Sequence, residues 1–111
     1  MEPIRFLYVT APDEDAASRI AEALVEARAA ACVNIFPRIR SVYRWNGAVE
    51  RGEETAMIVK TTAACAGNAR AMIERLHPYD TPVIAALPID AAHSGEKFVD
   101  WIKAAVLETL S

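Results

Sequence analysis

Ser41-Val42-Tyr43-Arg44-Trp45-Asn46-Gly47 is the stretch on which the fold turns. Asn-Gly is the strongest short hairpin signal, because both residues tolerate positive φ. Before it, Ser41, Tyr43 and Trp45 share one face of an incoming strand. That strand starts as the β-like run Cys32–Ile35, is interrupted by Pro37, and resumes at Ser41–Trp45. A proline there predicts a bend or an edge position, since it cannot donate to a ladder. After the turn, Ala48–Thr62 reads as the returning strand. Its second half alternates Ala56, Ile58 and Lys60 against Met57, Val59 and Thr61. Such a hairpin is long for a small domain, so part of it should project beyond the core.

Outward from the hairpin the remaining elements fall into place. Ile4–Thr10 is a strand with two mostly apolar faces, Ile4, Phe6, Tyr8 and Thr10 against Leu7 and Val9, which suits the sheet interior. Pro12 and Asp13 open an amphipathic helix ending near Ala30, capped by Thr10 or Asp13, with acids in its first turn. Ala63–Leu76 is a second helix with an apolar stripe of Cys65, Ala69, Met72, Ile73 and Leu76. Pro78 stops it by pushing residue 77 out of the helical region. Pro82–Ile89 reads as a strand. Ser94 reads as the cap of a last helix burying Phe98, Trp101, Ile102, Ala105 and Val106. The order β-α-β-β-α-β-α predicts an α+β fold, a ferredoxin-like βαββαβ sandwich with an extra C-terminal helix. The helices are expected on one sheet face. The other face then needs a cover, and self-association is the natural one.

The 111 residues fit one domain, 1–111, and the composition of 53% hydrophobic and 24% charged residues excludes disorder. Apolar content this high in a short chain points to surface buried between subunits. A net charge of −3 argues against nucleic-acid binding. Arg38, Arg40, Arg44 and Arg51 form a local basic cluster, read as a solvated hairpin face. Cys32 and Cys65 show no CxxC spacing and read as free, packed thiols in a reducing compartment. No signal peptide or membrane-spanning stretch is visible, so the cytoplasm is the expected location.

Several segments together resemble the CutA family of divalent-cation tolerance proteins. They are Thr10-Ala-Pro-Asp-Glu14, Ala29-Ala-Ala-Cys-Val-Asn-Ile35, Ser41-Val-Tyr-Arg-Trp45 with Asn46-Gly47, Glu54, Lys60-Thr61, His77-Pro-Tyr-Asp-Thr-Pro82 and Trp101-Ile102. The likeness spans nearly the whole chain in order and spacing. It implies a homotrimer like that of the PII signalling proteins, with hairpins reaching across to neighbouring subunits. It also implies a link to divalent metals, copper above all. Copper-associated members carry a cysteine in the first strand and a His-His pair before Pro-Tyr. Here these positions hold Val9 and Leu76-His77, which leaves His77 as the metal candidate, with Asp80 nearby in sequence.

No single segment has metal-ligand spacing, since His77, His93, Cys32 and Cys65 are all far apart. Any Cu²⁺ or other divalent-cation site must be assembled in space. His77 has an equally good structural role, bonding the carbonyls that end a helix. The resemblance further suggests that Tyr43, Trp45, Glu54, Lys60, His77 and Tyr79 contribute to an intersubunit cleft for a small molecule. Lys60 would favour an anion there. The preferred role for Tyr43 and Trp45 is to anchor the trimer, since aromatic residues are favoured at such contacts. Glu54 and Lys60 share a strand face but lie about 20 Å apart at ~3.3 Å per residue, so they do not pair within one strand. No nucleophile elbow, paired carboxylates or phosphate loop is present, and a non-enzymatic role is expected. Three functions follow: a trimer for divalent-cation tolerance that binds metal weakly, a PII-like sensor of a small anionic metabolite, or a trimeric scaffold.

Overall fold

A computed structural model describes residues 3–107; the ends of the expected 1–111 unit lie outside the described residues. The elements are β1 (Ile4–Ala11), α1 (Glu14–Glu26), β2 (Cys32–Trp45), β3 (Ala48–Thr62), α2 (Ala63–Leu76), β4 (Ile84–Ile89), a 3₁₀ turn (Ala91–His93) and α3 (Glu96–Ala105). The sheet order is β2-β3-β1-β4 with every neighbouring pair antiparallel, which is the expected ferredoxin-like arrangement.

Local chemistry sets most boundaries. Trp45 pairs with Ala48 around Asn46 (φ 49°) and Gly47 (φ 80°), a two-residue turn whose twist matches the strands. Asp13, not Thr10, caps α1, its Oδ1 accepting from the Ala16 N–H at 2.8 Å. Thr62 caps α2 through the Cys65 N–H.

Four expectations about element ends and buried residues are corrected. First, α1 stops at Glu26 rather than near Ala30, because Arg28 adopts φ 60° and the Ala29 and Ala30 amides turn back onto the Leu24 carbonyl. Second, Ser94 does not cap α3. Its hydroxyl donates to the Asp90 carbonyl at 2.6 Å and closes the 3₁₀ turn, and Gly95 takes the cap position. Third, β4 starts at Ile84, two residues later than expected, where its register begins opposite Val9. Fourth, Leu76 is exposed at the end of α2 and Trp101 is 50% exposed on α3, while Val99 joins Ile102 and Val106 in the core.

Alternation along β1 separates two cores. Leu7, Val9 and Ala11 pack with Met57 and Val59 beneath α1 and α2, against Ile20, Leu24, Ala69 and Ile73. Ile4 and Phe6 point the other way, and there they meet Val99 and Ile102 of α3 and Val106 just after it. Contrary to the expectation that the helices share one face, α3 crosses to the opposite face and covers one end of it. Arg28 fastens α3 there. Its guanidinium donates to the Ala104 and Ala105 carbonyls, both at 3.0 Å, and its own carbonyl accepts from the Leu107 N–H at 3.0 Å.

The remainder of that second face is open. Tyr8 and Ile58 are half-buried, Leu87 is exposed and Phe36 is 48% exposed. Beyond Asn34 the hairpin runs mostly in solvent, as expected, and the molecule extends over 45 × 28 × 22 Å. The proline in β2 does not end the strand. Pro37 and Arg38 form a β-bulge between the pairs Phe36–Ala56 and Ile39–Glu54, with Arg38 at φ 59°. The extra residue shifts the alternation. Before it Cys32, Asn34 and Phe36 lie on the open face; after it Ile39, Ser41, Tyr43 and Trp45 do.

Candidate functional site

His77 follows the last turn of α2 and is 8% exposed. Its backbone N–H bonds back to the Ile73 carbonyl. Its ring is held at both ends. Nδ1 accepts from the Tyr79 N–H at 3.0 Å, so the proton sits on Nε2, which donates to the Thr10 carbonyl at 2.7 Å. The ring thereby ties the α2–β4 loop to the end of β1, and the Tyr79 ring lies tilted over it at 5.0 Å.

Tyr79 brings three of the anticipated residues together. Its phenol is pushed above the ordinary range by burial, then by the charge of Glu54, then by Tyr43 and Asp13. Glu54 accepts from the Ser41 hydroxyl at 2.7 Å across the hairpin, which orients the carboxylate. The Tyr43 hydroxyl lies over Gly52, 3.9 Å from where a Cβ would stand. Glu54, Tyr43 and Asp13 thus act electrostatically on the Tyr79 phenol, which is itself 43% exposed, and with Ser41 holding Glu54 they define an acidic, aromatic corner. Sequence reasoning had Asp13 only as a helix cap; its closeness to Tyr79 depends on the His77–Thr10 bond and has no sequence signal. Ser41 was legible, since it alternates in phase with Tyr43.

The other two anticipated residues lie elsewhere. Trp45 stands at the hairpin end, 65% exposed. Lys60 faces Cys32 and Phe6 across the sheet, its ammonium 5.6 Å from the Phe6 ring and 5.4 Å from the Phe98 ring. As expected, Lys60 and Glu54 are engaged separately. His93 bonds Asp90 on the surface, away from His77. Cys65 is buried and its thiol donates to the Leu107 carbonyl, while Cys32 is half-buried; both are free thiols. Among the described residues no three His, Cys, Asp or Glu side chains cluster as a metal site. With both His77 nitrogens engaged, a copper ion on Nδ1 would have to displace the Tyr79 amide. One chain alone does not fit tight copper binding.

The raised Tyr79 phenol has a measurable consequence. The folded state holds its proton more tightly than the unfolded state does. The associated stability is present below about pH 10, the ordinary phenol value, and falls as pH rises through the folded pKa. A near-ultraviolet tyrosinate titration should show a late phase that Tyr79→Phe lacks and that Glu54→Gln moves to lower pH. An unchanged titration in both variants would contradict the assignment.

Against known proteins, the profile for the CutA1 divalent ion tolerance protein matches residues 5–105. The chain belongs to the CutA1 family. The divalent-cation tolerance protein CutA of Thermus thermophilus is 44% identical over 97 residues, covering 87% of this chain and 92% of that protein. The crystal structure of CutA1 from Oryza sativa superposes with a TM-score of 0.90 at 36% identity, covering 96% of this chain and 95% of that one. The structure described as the periplasmic divalent cation tolerance protein CutA from Archaeoglobus fulgidus gives 0.87 at 43% identity, covering 94% and 99%. Membership in the CutA1 family confirms the resemblance read from the hairpin and loop motifs. Among the described residues no helix is long and apolar enough to cross a membrane.

Proposed function

We propose that this chain acts as a homotrimer in divalent-cation tolerance, with copper among the cations, and that it binds them weakly and without catalysis. The observation that carries the assembly is the open sheet face. Phe6, Tyr8, Phe36, Ile58 and Leu87 form an apolar surface whose far end alone is covered by α3. A second and third copy would remove it from water. For the cation, the support is family membership together with the acidic corner of Glu54, Asp13, Tyr43 and Tyr79. That corner offers oxygen donors but too few ligands for tight binding from one chain. We place the protein in the cytoplasm from its free thiols, although relatives include a chloroplastic protein from Arabidopsis thaliana.

One observation favours the PII-like sensor as a second reading. Lys60 lies on the second sheet face at the edge of α3, its ammonium beside the Phe6 and Phe98 rings, and a positive charge there suits a small anionic metabolite.

Native mass spectrometry tests both parts. The wild type should be a trimer, and Phe36→Asp, which alters an exposed ring, should shift it toward monomer. With one equivalent of Cu(II), partial uptake should occur and decline in Glu54→Gln. A wild-type monomer would overturn the assembly. A trimer that takes up no copper would overturn the cation reading and leave the sensor, which Lys60→Ala should disable.

A further inference from the structure

The arginine cluster takes no part in the acidic corner, and the register shows where it goes. Arg40, Val42 and Arg44 alternate with Ser41, Tyr43 and Trp45, so they occupy the opposite side of the hairpin. Their cross-strand partners are Glu53, Arg51 and Val49. Arg51 stands opposite Val42 and is therefore diagonal to both Arg40 and Arg44, at about 7–8 Å for such positions. Arg40, Val42, Arg51 and Glu53, with Ser41 and Gly52, line a groove of about 490 Å³. That is the size of a small-ligand site.

The guanidiniums are free to act. Among the described residues Arg40 and Arg51 have neither a hydrogen bond nor an ion pair, and Arg44 reaches only the Gly47 carbonyl at 3.3 Å. Glu53 faces Arg40 without forming an ion pair with it. Neighbouring like charges on a strand repel, and an anion lying between them relieves that repulsion. Planar guanidiniums match phosphate oxygens in two-point fashion. A long polyanion is a poorer fit, because the chain is acidic overall, with a net charge of −3, and this arginine cluster spans only a short hairpin.

We propose that this groove binds a small phosphate-chain anion between Arg40 and Arg51, with Arg44 at the rim. The arginines occupy the side of the hairpin opposite the acidic corner, with Ser41 and Gly52 the residues common to both, and the proposal does not depend on the cation reading.

The test is calorimetric titration of the full chain with inorganic tripolyphosphate in low-salt, phosphate-free buffer. Saturable binding is expected. Arg40→Gln and Arg51→Gln should each weaken it about tenfold, as loss of a charge-assisted bond implies. Arg70→Gln removes the same charge from α2, where Arg70 lies 3.9 Å from Glu74, and should leave binding unchanged. Glu53→Gln should tighten it. Adenosine triphosphate identifies the source: equal affinity means that only phosphates are read, and tighter binding means that a nucleoside is read as well; both support the site. Absence of saturable binding would overturn the proposal. So would equal loss in Arg70→Gln, or competition by duplex DNA at the same affinity per phosphate. Circular dichroism of each variant checks that these surface changes leave the fold intact.

Discussion

His77→Ala should lower stability by about 2–4 kcal/mol in urea unfolding. The estimate combines a cavity where a buried ring stood with two buried backbone groups that lose their partner. Those groups are the Thr10 carbonyl and the Tyr79 N–H. His77→Asn should fall between, since a shorter amide can serve one of the two but not span both. The α2–β4 loop would then be released from β1, so the Tyr79 phenol should titrate closer to its ordinary value in His77→Ala. A loss below about 0.5 kcal/mol, the range of ordinary surface changes, would mean that the ring is not the tie described.

The second large effect is at α3. Ile102→Ala should cost about 2–4 kcal/mol, because Ile102 is fully buried between α3 and the sheet beside Ile4. Its neighbour Trp101 is half exposed, and Trp101→Ala should cost less than about 1 kcal/mol of single-chain stability. Measured on a Phe36→Asp background that native mass spectrometry finds monomeric, the pair reports the helix face alone. A larger loss at Trp101 than at Ile102 would contradict the orientation of α3.

That orientation marks a boundary of what the sequence makes legible. Element order, the Asn46-Gly47 turn, both ends of β3 and α2, and the projection of the hairpin all follow from local chemistry, and each was readable. The buried face of α3 was not. Phe98, Trp101, Ile102 and Ala105 repeat with helical period, but so do Val99, Ile102 and Val106, and apolarity alone does not rank them. What decides is that α3 crosses to the face of Ile4 and Phe6, held by Arg28, and that clamp joins residues more than seventy positions apart. The end of α1 was missed for a related reason. Arg28 is a good helix former locally, yet it adopts the left-handed conformation, where the Ala29 and Ala30 amides turn back onto Leu24 and its own guanidinium reaches the end of α3.

The candidate site divides the same way. Tyr43 and Glu54 lie on paired strands in matching phase, so their proximity could be read once the hairpin was recognised. Tyr79 joins them only because His77 reaches Thr10, a contact spanning 67 positions. Lys60 was grouped with Glu54 by shared strand parity, which is real, but distance along the strand puts it over Phe6 and Phe98 instead.

The bulge at Pro37 and Arg38 gives β2 one spare residue. An ordinary strand that loses a residue exchanges inside for outside beyond the cut, because its side chains alternate with a period of two. Here the loss of Pro37 or Arg38 would instead leave one residue between the pairs Phe36–Ala56 and Ile39–Glu54, and the ladder would run on regularly. Arg40, Val42 and Arg44 would keep their side of the hairpin, and Tyr43 and Trp45 theirs. A one-residue deletion at the bulge should therefore be better tolerated than the same deletion between Ile39 and Trp45, where it would turn one set of side chains onto the other's surface.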